Sequence, residues 1–392
     1  MKSWIELDEE RLRGNFSALA EAVGGAGVLA VVKANAYGHG LEQCARVLAQ
    51  AGAEWLGVTG VEEGTRVRRV LTELGIAEEA QPRVMVMCGI SREDAEIVVV
   101  ERLTPVVWLV EQVGWLVAAL ERQSRGGSLR VHVEVDSGMS RQGAKPGAEL
   151  HAVVAAIEAA NGLRLNGVMT HFADAEVAGS AQTALQRTRF EAALQQVWAA
   201  GVVPGWLSVG NTSGIDLIDG SEDFLAWTKR LAAGMGARGL VRTGLALYGY
   251  RLALDGVAPV ASRLQDKVLP VMTWMAKVIG VEDVPAGAVV GYNGTYVAQR
   301  PMRLALVAAG YADGLRRELS STNIRAGGWM MVHGQRAAIV GRISMNLTTV
   351  DVTNIPDVKV GDEAVLLGEG ITAEDHARIA GTIAYEIVCG VR

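Results

Sequence analysis

Short apolar segments recur through roughly the first 250 residues of this chain, and amphipathic helical patterns lie between them. Strand-like and helix-like patterns that alternate in this way predict parallel βαβ units. Eight such units in about 250 residues match the size of an α/β (β/α)8 TIM-type barrel. The predicted strands are Leu29–Lys33, Trp55–Thr59, Arg83–Cys88, Pro105–Leu109, Leu129–Val135, Gly167–Thr170, Trp206–Val209 and Gly239–Arg242.

The intervening segments carry apolar residues at helical spacing. The clearest predicted helices are Ile90–Val100, Ala148–Ala160 and Ala184–Ala200. A doubly wound open sheet is the alternative architecture. That fold usually carries G-x-G-x-x-G after its first strand, and this sequence has no such motif there.

The sequence changes character after about Leu254, where the helical periods stop. Short strand patterns with Gly, Asn and Pro between them predict a mostly β C-terminal domain. We therefore expect one domain at 1–254 and a second at 255–392. Thr372-Ala373-Glu374-Asp375 resembles a capping box and predicts one late helix. The predicted strands are Val268–Val281, Ala288–Tyr292, Met302–Ala309, Trp329–His333, Arg336–Arg342, Leu347–Val352 and Glu363–Leu367.

Composition excludes several classes of function. The net charge is −6, and no basic block suggests binding to nucleic acid. The longest apolar runs are too short to cross a membrane, and the acidic N-terminus has no signal-peptide core. Three scattered cysteines suggest reduced thiols in a cytoplasmic protein, and the six histidines show no metal-binding spacing.

In a barrel of this type, functional groups lie just beyond the carboxyl ends of the strands. Lys33 ends the first predicted strand and precedes a loop with Gly and Asn, so its amine could attack a carbonyl. Gly/Ser/Thr loops there can hold phosphate, and arginines suit a carboxylate, a ring nitrogen or a phosphate. A solvated lysine or a capped strand end is the alternative for each position. The other candidates at this end are Arg141, His171, Asn211, Thr212, Arg242 and Gly244.

Two segments of the second part, Gly291–Tyr296 and Gly310–Gly314, interrupt the strand pattern with glycines and tyrosines. A tyrosine beside glycine is commonly a packed turn residue. Its hydroxyl can also serve in proton transfer.

The string Ala30–Gly40, AVVKANAYGHG, resembles the pyridoxal-phosphate attachment site of alanine racemases. Further segments are similar to that family in the same order, and the match runs almost end to end. Eight short motifs in order across two domains are far more specific than any one of them. The other segments are Asp136–Arg141, Thr170–Phe172, Val241–Gly249, Gly291–Tyr296, Gly310–Gly314, Gly341–Met345 and Tyr385-Glu386.

The resemblance implies a fold type III enzyme with pyridoxal 5'-phosphate joined to Lys33. His171 would lie against the pyridine ring, and Arg242 would face the ring nitrogen. The phosphate would be held by the remaining cofactor residues, which are Tyr37, Asn211, Thr212, Gly244, Leu245 and Tyr385.

The resemblance also implies racemisation of a small amino acid, L-alanine to D-alanine, by two bases. Lys33 would be one base and Tyr292 of the partner subunit the other, in a head-to-tail homodimer with shared active sites. Arg141 and Met345 would line the substrate pocket, and Tyr311 would narrow its entrance. Alanine or serine as the preferred substrate stays open, as does a role of the product as cell wall precursor, in catabolism or in antibiotic response.

The sequence departs from the family pattern at a few positions. Glu134 stands where many members have a carbamate-modified lysine, so we expect its carboxylate to orient Arg141. A rim glutamate paired with any nearby base is the alternative. Ser208, Ser344 and Asn346 also differ from common family residues, which leaves the substrate preference open.

Three other functions remain as alternatives. A related pyridoxal-phosphate decarboxylase for basic amino acids usually has a cysteine–aspartate pair in the β domain, which this sequence lacks. A cofactor-carrier protein generally lacks a second domain, so residues 255–392 argue against it. A barrel that only binds a phosphorylated ligand is the third.

Overall fold

The computed structural model describes residues 2–123, 128–220, 223–256 and 260–392. In chain order, the strands are β1 (Ser3–Leu7), β2 (Gly27–Val31), β3 (Trp55–Val58), β4 (Arg83–Val86), β5 (Thr104–Val107), β6 (Leu129–Glu134), β7 (Leu163–Met169), β8 (Trp206–Ser208), β9 (Leu217–Ile218), β10 (Arg238–Thr243), β11 (Ala261–Ser262), β12 (Met272–Val284), β13 (Val289–Val290), β14 (Tyr296–Val297), β15 (Met302–Val307), β16 (Trp329–Val332), β17 (Gln335–Ile339), β18 (Thr348–Asp351) and β19 (Glu363–Leu367).

The helices, in the same order, are α1 (Glu9–Val23), α2 (Lys33–Tyr37), α3 (Leu41–Gln50), α4 (Val61–Glu73), α5 (Asp94–Val100), α6 (Val110–Gln123), α7 (Ala148–Ala159), α8 (Ala181–Ala199), α9 (Thr212–Asp216), α10 (Phe224–Gly234), α11 (Ala373–Ala380) and α12 (Ala384–Gly390). Short 3-10 turns lie at Glu78–Ala80, Leu245–Tyr248, Tyr292–Gly294, Tyr311–Asp313 and Arg317–Leu319. No helix within the described ranges is long and apolar enough to span a membrane.

The chain divides into two compact units. The barrel unit consists of Glu10–Ala36 and Gly40–Leu269, and the β unit of Met1–Glu9, Tyr37–His39 and Pro270–Arg392. The β unit thus includes β1, because β1 pairs antiparallel with β12 from Ser3↔Ala276 to Leu7↔Met272. The predicted boundary between residues 254 and 255 does not include these N-terminal contributions and stays a prediction.

The barrel unit is built on parallel strands. In the part of the chain that the structure describes, eight of them close in the order β10-β2-β3-β4-β5-β6-β7-β8. Every residue of β2, Gly27–Val31, is buried, as expected for a strand covered on both faces. On α7 the four apolar residues of the predicted face, Leu150, Val153, Val154 and Ile157, are all buried. The predicted barrel is therefore confirmed.

The observed strand ends differ slightly from the predicted ones. β2 ends at Val31, so Lys33 follows the strand instead of ending it. β7 begins at Leu163, four residues before the predicted Gly167. Hydropathy reports burial, whereas a strand ends where its ladder of backbone hydrogen bonds ends, so the two limits need not coincide.

The β unit contains a mostly antiparallel sheet with the order β1-β12-β15-β18-β17-β16-β19, counted over the described residues, and β12 also pairs with β19. The long strand β12 alternates buried and partly exposed residues over most of Met272–Ile279, the pattern of a strand with one face in a core. The mostly β second domain is confirmed.

The late helix begins as predicted. The Thr372 hydroxyl accepts from the Asp375 backbone N–H at 3.1 Å, and the Asp375 carboxylate accepts from the Thr372 backbone N–H at 3.1 Å. This reciprocal pair starts α11. A second helix, α12, follows Gly381 and was not predicted, because its seven residues are too few for a periodic signal.

Candidate active site

Lys33 begins a left-handed turn at the carboxyl end of β2. Ala34, Asn35 and Ala36 have φ of 51°, 54° and 55°, a conformation that non-glycine residues rarely adopt. Tyr37, with φ of 55°, is the fourth such residue in succession, and because a left-handed residue costs about 1–2 kcal/mol the turn needs external support. Such strain is found where the surrounding structure fixes a functional group. The turn places the half-buried Lys33 just beyond the strand.

Hydrogen bonds of Asn35 supply part of this support. Its side-chain Oδ1 accepts from the Leu41 backbone N–H at 3.0 Å, which also caps α3. Its backbone N–H donates to the Glu63 carboxylate at 3.3 Å, and its carbonyl accepts from Gly40 N at 3.0 Å. Asparagine tolerates left-handed φ better than most residues, so it suits this position.

Arg242, in β10, is almost fully buried at the same end of the barrel, with 5 % of its surface exposed. Its Nη1 donates to the Ser208 carbonyl at 2.7 Å and to Ser208 Oγ at 3.0 Å. Its Nη2 donates to the Thr170 carbonyl at 2.8 Å and to His171 Nδ1 at 2.9 Å. Burial lowers the pKa of Arg242 to about 10, so the guanidinium still carries its charge at neutral pH.

The contact with Arg242 fixes the protonation of His171. A guanidinium can only donate, so Nδ1 of His171 accepts, and the proton of the neutral ring lies on Nε2. Burial, with Arg242, Arg141 and Lys33 nearby, lowers the pKa of His171 to about 3. The imidazole is therefore neutral over the physiological range.

Gln186, on α8, holds the segment that carries His171. Its Nε2 donates to the His171 carbonyl at 2.8 Å and to Ser137 Oγ at 3.2 Å, while its Oε1 accepts from Ala173 N at 3.0 Å. The Ser137 and Thr170 hydroxyls share a hydrogen bond of 2.7 Å. The loops after β6 and β7 are thus joined. Sequence reasoning did not find Gln186, since it lies among apolar residues on a helix face.

Glu134 lies at the end of β6 with 2 % of its surface exposed. Its carboxylate accepts from Gln142 Nε2 at 2.5 Å, and the same Nε2 donates to the Met87 carbonyl at 3.0 Å. Burial raises the pKa of Glu134, and the hydrogen bond from Gln142 and the charges of Arg242 and Arg141 oppose that effect. Among the described residues Glu134 makes no ion pair with Arg141, so that the carboxylate orients Arg141 stays a prediction.

Arg141 lies exposed on the loop after β6. Asp136 shapes this loop: its Oδ1 accepts from the backbone N–H groups of Gly138, Met139 and Ser140 at 2.9, 3.0 and 3.0 Å. A Cβ at Gly143, where φ is +111°, would lie 2.5 Å from the Asp136 backbone nitrogen. The loop therefore requires glycine at this position, and its shape sets where Arg141 projects.

The loops after β8 and β10 also meet at this end. The Asn211 side chain accepts from Gly214 N at 2.9 Å and caps the short helix α9. The Thr212 hydroxyl accepts from Ala246 N at 3.5 Å, which brings it beside the turn that begins at Leu245 after Gly244. The residues predicted to hold a phosphate are thus adjacent in the barrel unit.

Two other predicted residues, Tyr37 and Tyr385, meet within the β unit. Their ring centroids are 5.8 Å apart at an interplanar angle of 43°. Burial raises the pKa of Tyr37 well above its usual range, and the neighbouring Tyr385 and Cys389 add to this effect. Its hydroxyl therefore remains protonated and is suited to donate a hydrogen bond.

The remaining predicted residues of the β unit are exposed. The exposed fractions are 63 % for Tyr292, 45 % for Tyr311 and 57 % for Met345. Two backbone hydrogen bonds hold the loops of Tyr311 and Met345 together. Tyr311 N donates to Ser344 O at 3.1 Å, and Ala312 N donates to Met345 O at 2.8 Å. Tyr311 and Met345 are therefore on neighbouring loops of the β unit and are both exposed.

The comparisons with known proteins agree with this arrangement. The family model "Alanine racemase, N-terminal domain" matches residues 7–252, and "Alanine racemase, C-terminal domain" matches residues 271–392. The alanine racemase of Syntrophobacter fumaroxidans is 36 % identical over 99 % of this chain and 95 % of its own. That of Symbiobacterium thermophilum is also 36 % identical, over 99 % and 94 %.

Solved structures give the same result. The alanine racemase of Streptomyces coelicolor is similar with a TM-score of 0.84 and 33 % identity, covering 100 % of this chain and 96 % of that one. The Bartonella henselae alanine racemase with covalently bound pyridoxal phosphate has a TM-score of 0.80 and 26 % identity, covering 100 % and 97 %. With both family models matched and relatives above 30 % identity along the whole length, this chain belongs to the alanine racemase family.

Proposed function

We propose that this chain racemises alanine with pyridoxal 5'-phosphate, using Lys33 and Tyr292 of the partner subunit as opposed bases. The enzyme class and the cofactor expected from the sequence are confirmed by the family match and by the relatives. The observation that carries the proposal is the buried Arg242–His171 pair at the end of the barrel where Lys33 lies.

The residues of this end fit the cofactor. Four N–H groups of Arg242 are used by Ser208, Thr170 and His171, and its Nε–H has no acceptor among the described residues. An unprotonated pyridine nitrogen is an acceptor that this N–H would satisfy. Tyr37, Tyr385, Asn211, Thr212, Gly244 and Leu245 would hold the phosphate.

The cofactor, when bound, supplies an electron sink that makes the substrate Cα–H bond acidic. Arg242 limits that sink, because an arginine beside the pyridine nitrogen, unlike a carboxylate, does not stabilise a protonated ring. Less charge then spreads into the ring, which favours return of the proton at Cα over side reactions such as transamination.

Racemisation removes a proton from one face of Cα and returns one to the other, so a base is needed on each face. Lys33 Nζ would hold the proton on one face. Tyr292 Oη of the partner subunit would hold it on the other. A tyrosine hydroxyl near its reference pKa of about 10 needs a positive neighbour to act as a base, and Arg141 would provide that charge as well as bind the substrate carboxylate.

A head-to-tail homodimer follows from this assignment, since one two-fold interface would complete two sites. The exposure of Tyr292, Tyr311 and Met345 supports it: in the dimer these side chains would line the partner's substrate pocket and its entrance. We also propose a cytoplasmic location, because three cysteines scattered through the sequence suggest reduced thiols.

The test is chiral chromatography of L-amino acids incubated with purified, cofactor-saturated protein. We expect D-alanine to accumulate to an equimolar mixture with L-alanine, with serine as the next substrate to compare. Release of an amine and carbon dioxide from a basic amino acid would favour the decarboxylase alternative. An unchanged panel would reject both enzymatic functions.

A further inference from the structure

The amino-terminal end of the barrel, opposite the end with Lys33, carries an arginine cluster that the racemase reaction does not use. Strand β4 begins with Arg83 and strand β10 begins with Arg238, and Arg130 is the second residue of β6. Residues that start parallel strands of a closed barrel share one rim. We call Arg83, Arg130 and Arg238, with Trp55 and Trp206, the basal cluster.

Each of two arginines in the basal cluster lies over a tryptophan on the neighbouring strand. Arg83 pairs with Trp55 across β3 and β4, and its guanidinium carbon lies 5.1 Å from the indole centroid. Arg238 pairs with Trp206 across β8 and β10, at 4.5 Å. The two indoles pack edge to face at 5.6 Å. This stacking fixes both guanidinium planes before any ligand arrives.

A cavity opens at this cluster. Its volume is about 440 Å³, and Trp55, Arg83, Trp206, Arg238 and Gln81 all line it. A second cavity of about 780 Å³ shares Arg83 and Gln81 and also has Arg130 in its lining. Cavities of these volumes accommodate small metabolites.

The positive charge of the cluster is only partly balanced. Arg238 pairs with Glu54 at 3.3 Å. Within the described residues, the side chains of Arg83 and Arg130 have no ion pair or hydrogen bond, and Nη1 of Arg83 is buried without an acceptor. Burial, with the like charges of Arg130 and Arg238, lowers the pKa of Arg83, while Glu54 opposes this. An anion in the cavity would relieve the repulsion among the arginines.

We infer that the basal cluster is a binding site for a small organic oxyanion, a carboxylate or a phosphate ester, held by Arg83, which lines both cavities, and by Arg130, which lines the larger one. Guanidinium groups bind both kinds of oxyanion through paired N–H donors, so the shared chemistry is an oxygen-rich anion. The site does not depend on the assignment of the catalytic bases.

Calorimetric titration of the cofactor-saturated protein tests this inference, with pyrophosphate and citrate as separate probes. In the cofactor-saturated protein, the phosphate of pyridoxal phosphate occupies its own site, so the probes do not bind there. We expect saturable binding of at least one probe, and the comparison distinguishes phosphate from carboxylate. Arg83→Gln should weaken binding at least about tenfold, the effect of losing one charge-assisted pair. Arg130→Gln, at an exposed position, should weaken it in the same direction and guards against misfolding of the first variant.

Arg336→Gln is the matched control. Arg336 is an exposed arginine that also stacks on a tryptophan, with its guanidinium carbon 4.3 Å from the Trp329 ring centroid, but it lies in the β unit. This variant should bind the probes as the unaltered protein does. Three results would overturn the inference. The probes could show no saturable binding up to about 10 mM, or sodium chloride at the same ionic strength could give the same heats as the probes. The third is binding by an Arg83→Gln/Arg130→Gln double variant that is as strong as that of the unaltered protein.

Discussion

Gly38 lies against the carbonyl oxygen of Val388 so closely that a Cβ at residue 38 would be 2.2 Å from that oxygen. Its φ of +83° also favours glycine. Val388 belongs to α12, the helix that bears Tyr385, and Gly38 directly follows Tyr37. The spacing of the Tyr37–Tyr385 pair therefore depends on a residue with no side chain.

We predict that Gly38→Ala destabilises the protein by about 1–3 kcal/mol, since the new Cβ meets rigid backbone at a left-handed position. Displacement of α12 should also weaken pyridoxal phosphate binding, which spectrophotometric titration would measure. Gly114→Ala on α6, where a Cβ meets nothing within 4 Å, is the control. It should leave cofactor affinity unchanged and raise stability by about 0.5–1 kcal/mol. Equal behaviour of the two variants would contradict this account.

Lys33→Ala and Tyr292→Phe should impair the two directions of racemisation unequally. Each variant removes the base on one face of Cα, so the direction that begins on that face loses its proton acceptor. The measurement is the initial rate with α-deuterated L- and D-alanine. Tyr296→Phe is the matched control and should remain active, because the Tyr296 hydroxyl donates to the Met302 sulfur at 3.9 Å within the β unit. Equal effects of both variants in both directions would count against two bases.

Mixing Lys33→Ala with Tyr292→Phe protein tests whether sites are shared between subunits. If each site combines the two residues from different chains, a mixed dimer has one intact site. Random exchange makes about half of the dimers mixed, so about a quarter of the sites should regain activity. Mixtures that stay as inactive as their components, although native mass spectrometry shows mixed dimers, would argue for sites within one chain.

Glu134→Gln should raise the KM for alanine, on the order of threefold. The carboxylate accepts a charge-assisted hydrogen bond from Gln142, the neighbour of Arg141 in the chain, and an amide oxygen would accept it more weakly, so the loop that positions Arg141 would loosen. Gln142→Ala removes the donor of the same hydrogen bond and should give a similar KM. The double variant Glu134→Gln/Gln142→Ala should then have a KM close to that of either single variant. Unchanged activity and affinity in Glu134→Gln would exclude a role for this carboxylate.

The buried His132 makes stability depend on pH. Burial, with Arg83 and Arg242 nearby, lowers the pKa of His132 to about 3. The unfolded state, with a pKa near 6.5, therefore takes up a proton that the folded state does not bind. The free energy of unfolding should fall as pH drops below about 6.5, by up to about 1.4 kcal/mol per unit for this group.

Urea unfolding between pH 7.5 and 5 measures this dependence. His132→Gln should have a shallower slope than the unaltered protein, whatever its absolute stability. His151→Gln, on the exposed face of α7, is the control and should keep the original slope. A slope unchanged in His132→Gln would show that other groups account for the pH dependence.

Much of the fold follows from local patterns. Features that depend on residues close together in the chain were predictable. These are the eight barrel strands, the buried face of α7 and the Thr372 cap. The predicted strand ends also put Lys33, His171 and Arg242 at one end of the barrel, since parallel strands present their carboxyl ends together.

Other features depended on residues distant in sequence, and only the tertiary structure decided them. Glu134 accepts from Gln142, and β1 pairs with the distant strand β12, with Ser3 opposite Ala276. The tertiary structure also decided the left-handed turn after Lys33 and the arginine–tryptophan pairs of the basal cluster. Hydropathy and motifs encode which residues are buried or reactive, whereas a particular partner is chosen by packing geometry among competing donors and acceptors.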